Sequence, residues 1–208
     1  MLFQEFILHN LFNYLPIKTR IIISYSCKNY HLYFLDYKHS EIIDIYYNDF
    51  RLINKFKNLK FKTELWHSKI TTQELKHFEK IYSLNLFCCY NFNDTYNLKN
   101  IHKLSLFGCK YVTNVDALTN IHTLDLSFCI NLVDISKLGN NNIVLLRYCK
   151  KITDISSLKN IKIINISFCN NIVDISMLQK LDKIYMYDTN PVLLNQINQL
   201  TSVKFIKY

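Results

Sequence analysis

The sequence predicts an α/β solenoid. Short similar coils stack so that each gives one strand to a parallel β-sheet on one face and a turn or 3-10 segment to the other. A small helical module precedes the stack. Three observations carry this. Cys89, Cys109, Cys129, Cys149 and Cys169 recur every twenty residues, and a fixed internal period is the mark of repeat architectures. The aliphatic residues keep the same period. Finally, the alternation in Leu124-Asp125-Leu126 turns both leucines to one face of an extended chain.

Each element of the coil follows from that frame. Ile81, Ile101, Ile121 and Ile161 open successive units, and Leu181 opens the next; Asn141 is the polar exception at this place. The fourth place holds Leu84, Leu104, Leu124, Val144, Ile164 and Ile184, and the sixth Leu86, Leu106, Leu126, Leu146, Ile166 and Met186. These two places read as the inward side of a strand. The twelfth place is Phe92, Val112, Leu132, Ile152, Ile172 and Val192, and the eighteenth Leu98, Leu118, Leu138, Leu158 and Leu178. Between them stand Asp134-Ile135-Ser136, Asp154-Ile155-Ser156 and Asp174-Ile175-Ser176. A carboxylate or hydroxyl there can cap a short turn while the isoleucine faces inward. One coil alone cannot bury enough apolar surface to offset the entropy of ordering it. Neighbours must cover its flanks, with strands about 4.8 Å apart.

The unit L-x-x-L-x-L-x-x-C-x-x-L, followed by D-I-S-x-L, resembles the leucine-rich repeat in its short cysteine-containing form. The resemblance implies a β-strand at L-x-L, a sheet on the concave face and turns or 3-10 segments on the convex face. It also implies that the cysteine turns the chain out of the strand and points inward to bond loop backbone groups. A thiol serves there as a small apolar group and weak donor, and Thr189 keeps a hydroxyl at the same place. Cysteines in a row on successive layers cannot converge on one tetrahedral metal. Their side chains also stand too far apart for the usual disulfide geometry. No cofactor is expected.

Three segments complete the organisation: residues 1–40, a junction at 41–60, and the solenoid at 61–208. Glu64 to Phe78 reads as a variant first coil without the cysteine, its outer arm a helical turn with Leu75 and Phe78. At the far end Pro191 breaks the pattern, and Leu200, Val203 and Phe205 read as a last strand whose frame has slipped by one. In residues 1–40, apolar residues at 7, 8, 11, 12 and 15 follow helical spacing, and Pro16 ends that helix. This order, with Cys27-Lys28, resembles an F-box, although Met1-Leu2-Phe3 lacks the Leu-Pro pair that usually opens the family. The resemblance implies docking on Skp1, the adaptor of cullin-type ubiquitin ligases, through Leu11, Phe12, Leu15 and Pro16. A helical cap closing the end of the stack is the alternative.

Chemistry leaves no signature. The two glycines, Gly108 and Gly139, form no phosphate loop, and the seven histidines form no metal-binding pair. The repeated aspartates recur because the coil recurs. The chain is expected to be a non-enzyme. Side chains at the third, fifth and seventh places face out from the sheet, with the eighth at its rim. They include Phe87, Phe107, Arg147, Tyr185 and Tyr187, with Phe128, Tyr148 and Phe168 at the rim. Aromatics and arginine anchor protein interfaces, so a protein ligand on this face is expected; alternatively the rim rings only cover the cysteine row.

The net charge of +9 comes from lysines scattered from Lys18 to Lys207 among acids, which argues against a nucleic-acid partner. No apolar run reaches the roughly 18 residues of a membrane span, and the N-terminal residues lack a secretory pattern. An intracellular monomer is therefore expected. The Ile, Asn, Lys and Tyr bias together with the resemblance points to a gene of a large DNA virus or an amoeba-like eukaryote.

Overall fold

The computed structural model describes residues 81–200 apart from 90, 91 and 94, and the backbone of strands 42–44, 60–66 and 204–206. The expected helices of residues 1–40, with the candidate docking residues Leu11, Phe12, Leu15 and Pro16, lie outside the described residues. So does the outer arm with Leu75 and Phe78.

Among the described residues there is one sheet of nine parallel strands, each hydrogen-bonded to the next in chain order. They are β1 (Ile42–Asp44), β2 (Lys60–Trp66), β3 (Ile81–Phe87), β4 (Lys103–Ser105), β5 (Thr123–Asp125), β6 (Ile143–Leu145), β7 (Ile163–Asn165), β8 (Lys183–Tyr185) and β9 (Lys204–Ile206). Leu84, Leu104, Leu124, Val144, Ile164 and Ile184 pair in unbroken register. The aliphatic file therefore runs straight through the stack. The sheet also reaches into the stretch read as a junction, where β1 pairs with β2. No alternation or cysteine marks Ile42–Asp44 as the start of a coil, so the periodic signal did not extend to it.

Seven places of the coil point inward. Besides the first, fourth, sixth, twelfth and eighteenth, these are the cysteine place and the fifteenth, filled by Thr95, Val115, Ile135, Ile155 and Ile175; nearly all are fully buried. Among the described residues the outer side carries three 3-10 segments, Tyr96–Leu98, Asp116–Leu118 and Ser156–Leu158. The aspartates close the preceding turn as expected: Ser136, Ser156 and Ser176 each donate a backbone N–H to the carboxylate two residues earlier, at 2.8 Å. In Asp134 and Asp174 that bond, with the serine hydroxyl, holds the carboxyl below its ordinary range. Asn114 makes the same turn with Asp116 at 2.8 Å.

The last coil differs. Pro191, at φ −58°, starts the helix α1 (Val192–Ile197), since its ring is already set for a helical first turn. The helix shifts the inward place by one. Val192, read as a core residue, is 55% exposed, and Leu193 is buried instead. β9 inherits the shift, with Phe205 opposite Ile184. No helix among the described residues is long and apolar enough to cross a membrane.

Candidate functional site: an aromatic ladder and its arginine

The cysteine row shows how each coil is tied to the one before. Cys109, Cys129, Cys149 and Cys169 are buried, and each thiol donates to the sixth-place carbonyl of the preceding coil, at 2.9, 3.2, 3.0 and 2.9 Å. The acceptors Leu106, Leu126 and Leu146 stand just after the neighbouring strand, where the chain turns, and Leu86 lies near the end of β3. The same carbonyls close the turn within their own coil: Leu106 also accepts the Cys109 N–H at 3.0 Å. Burial pushes the Cys109 thiol up to about 12 and that of Cys169 up to about 11. It raises Cys129 and Cys149 as well. Such thiols stay protonated and are poor nucleophiles. Thr189 does not share the role, for its hydroxyl has no hydrogen-bond partner among the described residues.

Just before each cysteine the backbone turns left-handed. The eighth-place residues Cys88, Gly108, Phe128, Tyr148, Phe168 and Asp188 have φ of 50°, 71°, 60°, 63°, 63° and 47°. Glycine takes this conformation freely, whereas a side chain costs about 1–2 kcal/mol there. At Gly108 the reason for glycine is also spatial, because an added Cβ would stand 2.5 Å from the Cys88 sulfur. Phe128 and Tyr148 stay in place because both backbone groups are bonded. Phe128 donates its N–H to Arg147 O at 2.7 Å, and its carbonyl accepts from Ile130 at 2.9 Å.

Six of the eight residues read as a binding surface form one file of rings. Phe87 stacks on Phe107 (4.8 Å, 8°), Phe128 on Tyr148 (4.5 Å, 21°) and Tyr148 on Phe168 (4.2 Å, 16°). The file moves from the seventh place to the eighth between Phe107 and Phe128, and back between Phe168 and Tyr187. At those two crossings the rings tilt, by 41° and 55°. Strand spacing of about 4.8 Å brings the rings to stacking distance without further adjustment. A second, shorter file joins Tyr82, His102 and His122, each pair 4.6 Å apart. The histidine count gave no hint of it; their shared second place in the coil would have.

The two remaining candidates flank the long file. The Arg147 guanidinium lies 5.9, 5.6 and 5.4 Å from the ring centres of Phe128, Tyr148 and Phe168, within cation–π range. Tyr185 lines a depression of about 490 Å³ together with Arg147, Asn165, Ser167, Phe168 and Tyr187. Asn165 and Ser167 were not singled out from the sequence, although they occupy the outward fifth and seventh places. Asn165 Oδ1 accepts the Ser167 N–H at 3.0 Å, and Ser167 Oγ accepts the Tyr187 N–H at 3.1 Å.

No family model matches this sequence, and no curated protein proved similar to it. Solved structures do. An internalin, inlF, from Listeria monocytogenes superimposes with a TM-score of 0.54 at 22% identity, over 74% of this chain and 49% of that one. The chain thus spans about half the length of inlF. Internalin C2 of the same species gives a TM-score of 0.49 at 19% identity, over 76% of this chain and 84% of that one. The inlF likeness concerns the fold, and with the sheet topology it makes this chain a parallel-strand solenoid of leucine-rich-repeat type.

Proposed function

We propose that the chain is a non-enzymatic protein-binding module whose ringed sheet face holds a protein ligand. The observation that carries this is the strain at the eighth place. Glycine serves there at Gly108 without strain, yet Phe128, Tyr148 and Phe168 keep large rings in the left-handed region. Backbone strain retained in this way points to use rather than to stability. Half-buried rings beside an arginine are also the composition of interface anchors.

The finer reading is a substrate-recognition adaptor working inside the cell, with residues 1–40 docking on Skp1 and the solenoid holding a protein to be ubiquitinated. The F-box resemblance of that segment supports it. One experiment separates the two levels: affinity capture in cells with the full chain, with Leu11→Asp/Leu15→Asp, and with Phe128→Gly/Tyr148→Gly/Phe168→Gly. The adaptor reading expects Skp1 with the full chain and its loss with the leucine pair only. The binding-face reading expects the triple variant to lose the remaining partners. An unchanged partner set with a folded triple variant overturns the face; absence of Skp1 from the full chain overturns the adaptor.

A further inference from the structure

The depression beside Arg147 has an unbalanced set of hydrogen-bonding groups. Among the described residues the Arg147 guanidinium makes no hydrogen bond and no ion pair, its contacts being the three rings. Asn165 spends its amide oxygen on the Ser167 N–H, so its NH₂ group remains to donate. Ser167 is 6% exposed and spends its oxygen on the Tyr187 N–H, so its hydroxyl hydrogen remains as well. Both oxygens already accept from the framework, while the amide NH₂, the hydroxyl hydrogen and the donor-only guanidinium remain to give. Another depression of about 490 Å³, by the outer 3-10 segments, already holds a carboxylate, Asp116, as well as Lys99, which donates to the Tyr96 hydroxyl at 3.2 Å.

We infer that this depression takes the side-chain carboxylate of an acidic residue in an extended segment of the protein ligand. A carboxylate accepts only, on two oxygens, and matches the arginine fork in a bidentate pair. Its single charge equals the single charge of Arg147, the one cationic residue in the lining among the described residues. A phosphate would bring nearly twice that charge to a site with no second cation among the described residues. The rings of Phe168, Tyr185 and Tyr187 offer apolar walls for the methylenes that carry the carboxylate. The ladder also holds the guanidinium in place, which lowers the entropy lost on pairing. This rests on the reading of the sheet face as a protein-binding surface.

The test is a random-peptide display selection on the full chain and on Arg147→Gln, followed by synthesis of the best peptide with Glu→Gln and Glu→phosphoserine replacements. Peptides selected by the natural chain should carry an acid at one fixed position, and those selected by Arg147→Gln should not. Glu→Gln should weaken binding to the natural chain about tenfold and leave binding to Arg147→Gln unchanged. Equal acid content in both selections overturns the carboxylate site while the peptide-binding face stands. Tighter binding of the phosphoserine peptide also overturns it, in favour of a phosphate. If neither protein enriches any peptide, the face and the carboxylate site both fall.

Discussion

Tyr148 offers a direct reading of the strain in the ladder. Its ring stacks between Phe128 at 4.5 Å and Phe168 at 4.2 Å, over a backbone φ of 63°. Replacing it with alanine or with glycine removes both stacked contacts, at about 0.5–1.5 kcal/mol each. The two variants then differ only at the backbone. Alanine keeps a Cβ and with it the strain of about 1–2 kcal/mol. Glycine sheds the strain but loses roughly 0.5–1 kcal/mol through its larger unfolded-state entropy. Tyr148→Gly is therefore expected to be the more stable by roughly 0.5–1 kcal/mol, the reverse of the usual order of these residues in regular structure. In equilibrium urea unfolding, with a slope of about 2 kcal/mol per molar, the glycine midpoint should lie roughly 0.3–0.5 M higher. An alanine variant more stable than the glycine one by roughly 0.5–1 kcal/mol, the usual order of the two residues, would show that the turn carries no strain and would remove the main support for the binding face.

The buried thiols predict an alkaline limit. Their folded values lie above the ordinary 9.0, at about 12 for Cys109 and about 11 for Cys169. The unfolded chain thus releases these protons first, and stability that is whole below about pH 9 falls as pH rises through the window up to the folded values. The loss should be about 1 kcal/mol per thiol between about pH 9 and pH 10, and smaller in Cys109→Ser, as urea midpoints at the two pH values would show. Asn141 is a polar break in the inward file whose bonds and orphan oxygen oppose each other. It is 3% exposed and donates its NH₂ to Leu118 O at 2.9 Å and Ile121 O at 2.7 Å, while its Oδ1 has no partner. Asn141→Ile removes the orphan oxygen and restores the aliphatic file but strips Leu118 O and Ile121 O of their donors, so stability in urea unfolding should change by less than about 1 kcal/mol. Asn141→Ala, which loses the same bonds and fills nothing, should lower it by about 2 kcal/mol.

Much of the fold was legible because the coil is local and repeated. The register of Leu84 through Ile184 and the slip at Phe205 follow from spacing, since a one-place shift would turn every inward side chain outward. The aspartate turns were legible too, for the carboxylate reaches an amide only two residues away. Less was legible at the site. The ring residues could be named from their outward places, but the crossing of the ladder from the seventh to the eighth place could not. That crossing depends on the Cys88 sulfur filling the space beside Gly108, a contact between coils. Val192 misled for a related reason: the period continued past Pro191 on paper, while the proline had begun a helix.

By itself the sequence determined the period of the stack, the inward file and the face that looks outward, because those depend on which residues lie a few places apart on one chain. Only the tertiary structure decided that three aromatics sit in left-handed turns, that their rings stack continuously, and that the donors of Arg147, Asn165 and Ser167 share one depression. These are relations between neighbouring coils. They are set by the spacing of parallel strands and by which backbone partners remain after the sheet has formed, and no single coil contains them.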